Sequence, residues 1–163
     1  FPRALLPVSI TISRLLTFGF ELAVLAAVAV ATGEGINLRW LLLPAVLVVH
    51  SALNLGGAFF AARLNDSFRD VQQIIPFLFR LLMYVLGVMF PLETYLTADR
   101  VPDIVRTVIN INPMVAVLEM YRWVFLSMEV EADRLVALIA GSAVTLLAGF
   151  LFFRANESRY GRA

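Results

Sequence analysis

The sequence predicts an all-α integral membrane protein. Four helices cross the bilayer, and a shorter helical segment dips in from the outer side between the last two. Three observations carry this reading. The 163 residues are 61% hydrophobic and only 15% charged, whereas soluble domains run roughly 45–50% apolar and about 25% charged. Two stretches, residues 40–62 and 135–153, carry no formal charge along their whole length. Residues 109–126 are apolar too. They are opened by Asn110, Asn112 and Pro113 and interrupted by Glu119 and Arg122, so they fall short of the roughly 20 apolar residues a spanning helix needs.

The chain starts with Phe1-Pro2-Arg3 and Leu6-Pro7, a short basic turn suited to a membrane surface. It opens on Phe rather than Met and carries no signal-peptide pattern, so further sequence is expected ahead of it. The first span covers residues 9–31, with Arg14 placed to snorkel toward headgroups and Glu21 two turns deeper. Thr32-Gly33-Glu34-Gly35 stops it. The second span, residues 40–62, starts on Trp40 as an interface anchor and carries His50, Ser51 and Asn54 in its middle. The pairs Ala52/Gly56 and Gly57/Ala61 suit close helix contact.

Residues 63–70 read as a polar loop, with Asp70 and Gln73 resembling a capping box. The third span then covers residues 71–90, with Pro76 near its start, Arg80 inside it and Pro91 ending it. Residues 92–108 read as a polar external connection and residues 109–126 as the dip. Broken backbone at membrane depth survives only under a cover of protein or beside a water-filled cavity. The last span covers residues 135–153, where Gly141, Thr145 and Gly149 form a small-residue stripe. A tail, residues 154–163, follows.

Four spans put both ends on one side. Arg3, Arg14, Arg63, Arg69, Arg154, Arg159 and Arg162 lie toward that side, against Arg39, Arg100, Arg106 and Arg134 on the other. The arginine excess makes both ends cytoplasmic. A fifth span over residues 109–126 would move the arginine-rich tail to the opposite side.

Glu21 and Arg80 are the two deep charges. Charges in lipid are paired or face a cavity, so Arg80 either pairs with Glu21, snorkels, or meets a phosphate in bidentate fashion. His50, Ser51 and Asn54 read as hydrogen-bonding partners between helices rather than a proton relay. Glu119 and Arg122, at i and i+3, can neutralise each other or shape an external gate. Tyr121 and Trp123 read as interface anchors, and Phe59, Phe77 and Tyr84 belong to an aromatic-rich pair of helices. With no Cys there is no disulfide framework or thiolate metal site. The sequence shows no metal constellation, P-loop, GxGxxG or catalytic triad. A net charge of +1 gives no reason to expect nucleic acid.

Three local patterns occur in order: Phe1-Pro2-Arg3 before a span, Phe68-Arg69-Asp70 before Ile75-Pro76-Phe77-Leu78, and Asn112-Pro113-Met114 before Tyr121-Arg122-Trp123. Together they resemble the permease subunit of type-2 ABC exporters, in the branch that exports polysaccharides and lipid-linked glycans such as O-antigen and teichoic acid. The resemblance covers the chain but only the C-terminal part of such a permease, so these spans correspond to spans three to six of six. It implies a bacterial inner-membrane homodimer of permeases with two ATPase subunits, which alone bind ATP and magnesium. The permease itself is then no enzyme and carries no cofactor.

The implied cargo is a polyprenyl-pyrophosphate-linked glycan, moved outward through a conduit for which Phe59, Phe77, Arg80 and Tyr84 are candidates. Asn112, Pro113, Glu119 and Arg122 fall in the implied external gate. Arg80 stands where the family pattern more often has a neutral residue, and Gly87-Val88 replaces a frequent Ser-Pro. Two other readings stay open: an exporter of drugs or hydrophobic small molecules, and a membrane scaffold without transport.

Overall fold

A computed structural model describes residues 5–68, 70–85, 102–130 and 132–155. Every regular element among them is helical. They are α1 (Leu5–Ala31), a 3-10 turn (Leu38–Leu42), α2 (Leu43–Ser67), α3 (Val71–Val85), α4 (Asp103–Ile111), α5 (Pro113–Leu126) and α6 (Ala132–Arg154). By length and composition, Leu5–Ala31, Leu38–Ser67 and Ala132–Arg154 can each cross a membrane. The apolar helix α3 has 15 described residues. The expected end of the third span, the Gly87-Val88 pair, most of the external connection, the first four residues, Arg69 and the tail beyond residue 155 lie outside the described residues.

Local chemistry accounts for the helix ends. In α1 the hydroxyls of Thr11, Ser13 and Thr17 donate to carbonyls four residues back, at 2.8, 3.0 and 3.2 Å. These bonds keep their polar atoms satisfied in an apolar setting. The helix stops where Gly33 takes φ +95°, with its N–H bonded to the Val30 carbonyl and that of Glu34 to Ala29, the double bond of a Schellman stop. Asn37 caps the 3-10 turn through the Arg39 amide at 2.9 Å.

Residues 63–67 are helix rather than the expected loop. Helix α2 continues to Ser67, supported by an ion pair between Arg63 and Asp66 at 3.6 Å. Asp70 does sit at the start of α3, where its carbonyl accepts from the Gln73 and Ile74 amides. The expected segment 109–126 also divides differently. Helix α4 begins earlier, at Asp103, and the chain breaks at Asn112 before α5.

Helices α2 and α6 run parallel and pack through glycine. A Cβ on Gly56 would meet the Thr145 and Leu146 backbone at 2.6 Å, and one on Gly149 would strike the Gly56 carbonyl. Gly57 points elsewhere, with nothing within 4 Å of a Cβ placed there. The Gly57/Ala61 pair is therefore not the contact, and Gly56 is. Below the glycines, Phe59 sits between Phe150 and Phe153, and Phe60 lies on Phe152. Lipid tails are as apolar as these side chains, so the pair is held by van der Waals fit rather than by escape from water.

Helix α1 lies antiparallel to α2, with Leu6 beside Ala62 at one end and Phe18 beside His50 further along. The bundle thus has an upper end, where α1 stops and α2 and α6 begin, and a lower end, where α1 begins and α2 and α6 stop. Helix α5 fills the upper half of the core. Seven of its 14 residues are buried, Val115, Ala116 and Val124 completely.

Candidate functional site

The site is built around α5. At 14 residues it is about 21 Å long, shorter than the roughly 30 Å of a hydrocarbon core. Asn112 starts it, its side-chain oxygen accepting from the Met114 amide at 2.9 Å, with Pro113 in the first turn where no N–H is needed. Pro113 rests on Gly141, where an added Cβ would lie 2.8 Å from its ring. Gly141 is nine residues into α6, about 13 Å along its axis. The other end of α5 closes on Ser127, at φ +54°, beside the loop that joins α1 to α2. The helix therefore begins at depth and finishes at the upper end.

Three sets of contacts hold it. The Tyr121 hydroxyl and His50 Nδ1 are hydrogen-bonded at 3.1 Å, and Phe18 meets both rings edge-on at 5.7 and 5.3 Å. At the upper end, Asn37 donates to the Ser127 hydroxyl at 3.0 Å and to the Val124 carbonyl at 3.4 Å. Trp40 packs on Phe125, and the Arg39 guanidinium lies 5.2 Å from the centre of the Trp123 ring. On the α6 side, Arg134 Nε pairs with Glu119 at 3.3 Å. The same guanidinium donates to the Asn110 carbonyl at 3.2 Å and to its side-chain oxygen at 2.8 Å.

Of the gate candidates, Asn112, Pro113, Glu119 and Arg122 all lie on α5 or at its cap. Glu119 reaches across to α6, beyond the expected pairing along its own helix. The conduit candidates separate. Phe77, Arg80 and Tyr84 share the exposed side of α3, at the i, i+3 and i+7 spacing of one helix face. Phe59 is buried in the α2–α6 contact and presents no surface to a conduit.

Among the described residues no ion pair joins Glu21 to Arg80. Glu21 instead lines a groove of about 400 Å³ between α1 and α2, together with Arg14, His50, Ser51 and Asn54. Sequence reasoning missed Arg134, counted only among the arginines opposite the chain ends, and the Asn37–Arg39–Trp40 dock. It also read Tyr121 and Trp123 as interface anchors, whereas Tyr121 is a core residue bonded to His50. Among the described residues no three His, Asp or Glu side chains gather as a metal site would require.

A family model described as "ABC-2 type transporter" matches residues 3–126. The O-antigen export system permease protein RfbA of Myxococcus xanthus is 26% identical over 164 residues, an alignment covering 100% of this chain. The chain spans 62% of the length of that curated relative.

Proposed function

Because this chain belongs to the ABC-2 type transporter family, we propose that it is the membrane-spanning permease part of an ATP-driven exporter. Its cargo is a polyprenyl-pyrophosphate-linked polysaccharide, passed from the cytoplasmic to the external face of the bacterial inner membrane. It works as a pair of permeases with two ATPase subunits, which bind ATP and magnesium and hydrolyse the nucleotide. The upper end of the bundle is external and the lower end cytoplasmic, in keeping with Arg63 and Arg154 at the lower end and the further arginines of the tail.

The observation that carries the reading is α5. It is too short to cross, it is buried among α1, α2 and α6, and it starts at depth and returns to the end where α6 begins. A helix so placed is re-entrant, and with α4 it closes the external end. The exposed face of α3 with Phe77, Arg80 and Tyr84 lines the conduit below the closure, where a guanidinium suits a pyrophosphate. Likeness to an O-antigen permease over the whole chain supports the glycan cargo.

The test is depletion of the full-length permease in cells. Lipid-linked glycan should accumulate on the cytoplasmic side, and the purified permease should carry a stoichiometric ATPase. Drug sensitivity without glycan accumulation would move the cargo to small hydrophobic molecules. Absence of any ATPase would reject the exporter.

A further inference from the structure

We infer that α4 is the moving leaf of the external closure, α5 its fixed post, and Arg134 the latch that holds the leaf shut; this rests on the exporter reading above. The described side chains of the two helices are buried to very different extents. Helix α5 has Val115, Ala116, Val124 and Phe125 almost wholly buried. It is tied to α6 at Gly141, to α2 at His50 and to the upper loop at Asn37. Of the side chains described in α4, only Ile109 is buried, while Ile104 is 73% and Ile111 65% exposed.

The joint between them is mechanical. Asn112 is extended, with φ −68° and ψ 117°. Pro113 has no N–H to continue the helical ladder, so rotation at Asn112 moves α4 without unwinding either helix. The Asn110 carbonyl belongs to the last turn of α4, one of the acceptors a helix leaves unmet at its C-terminus. Arg134 meets it, and a cation is favoured there by the helix dipole. Glu119 holds the same guanidinium against α5 at 3.3 Å, so the latch stays with the post when the leaf lets go. Ile109 and Val115 form one buried cluster, with Met114 and Leu82 packed against it. Leu82 belongs to α3, so that helix meets the cluster in which leaf and post join.

Hydrogen exchange on the purified full-length permease tests this without cargo. Arg134→Gln should speed exchange of the α4 amides about tenfold while those of α5 stay within about twofold. Arg134→Lys, which keeps a charge for Glu119 but loses the fork on Asn110, should give the same pattern with the fold intact. Equal acceleration of α4 and α5, or of neither, would overturn the inference.

In the complex with its ATPase, Asn110→Cys with Arg134→Cys, bridged by a short reducible cross-linker, should abolish export until a thiol reductant restores it. Full export with the bridge in place would also overturn the latch. The exporter reading fails separately: the exchange pattern would hold while the wild-type complex moved no glycan.

Discussion

Gly149 packs directly on the carbonyl of Gly56, and neither position has room for one further carbon. This contact sets the distance between α2 and α6, and α5 is seated against both. The obstructing atoms are backbone, so they cannot turn aside as a side-chain end would. Gly149→Val should therefore cost about 1–3 kcal/mol or more from overpacking. The expected result is a markedly lower melting temperature of the detergent-purified protein. Gly57→Ala, one position along and open on its outer side, should be neutral or stabilise by up to about 1 kcal/mol. Equal damage from both would mean that the helices do not meet at Gly56.

The bond between Tyr121 and His50 joins α5 to α2. Tyr121→Phe keeps the ring against Phe18 and removes only the hydroxyl. Hydrogen bonds between membrane helices are worth about 0.6 kcal/mol on average. A double-mutant cycle with His50→Phe should return a coupling of about 0.5–1.5 kcal/mol. A coupling of zero would leave the two residues as mere neighbours.

The membrane class was legible because uncharged runs long enough to cross a bilayer are unmistakable in composition. The reading of residues 109–126 as one segment passed over the break before α5, although Asn112-Pro113 is a cap followed by a residue with no N–H to donate to the preceding ladder. What was hidden depends on partners distant in sequence. Ala52/Gly56 and Gly57/Ala61 have the same spacing, and only α6 decides which pair is used. Arg134 follows Asp133 and looks like a surface charge until the fold brings Asn110, 24 residues away, beside it. Arg63 and Asp66 read as loop because they are polar, yet they are one helical turn apart and extend α2. Phe59 and Phe77 look alike as aromatics near spans, and packing alone separates a core residue from an exposed one.

Orientation can be read with single cysteines placed in a full-length permease freed of any others; this chain has none of its own. Gly35→Cys lies in the upper loop and Ser67→Cys at the end of α2, both on exposed residues. In intact cells an impermeant maleimide should label the first at once and the second only after the membrane is opened. The reverse pattern would invert the protein. Labelling of both from outside would mean that Leu38–Ser67 does not cross.

Arg80 offers the sharpest test of the cargo. It stands exposed on α3 between Phe77 and Tyr84, without the ion pair to Glu21 that would have explained it as a structural charge. A guanidinium with no ion pair among the described residues either reaches out to headgroups or waits for an anion. If it meets the pyrophosphate of the cargo, Arg80→Gln removes one charge-assisted contact of about 1.5 kcal/mol, which is about tenfold in apparent affinity. Glycan export at limiting cargo should fall by that factor while the melting temperature holds. Arg80→Lys should recover part of the loss, because the charge remains and the bidentate fork does not. If Arg80 only reaches headgroups, Arg80→Gln should change the depth or abundance of the protein in the membrane and leave export per molecule at the wild-type rate. That second outcome would remove Arg80 from the conduit and leave Phe77 and Tyr84 as its marked residues.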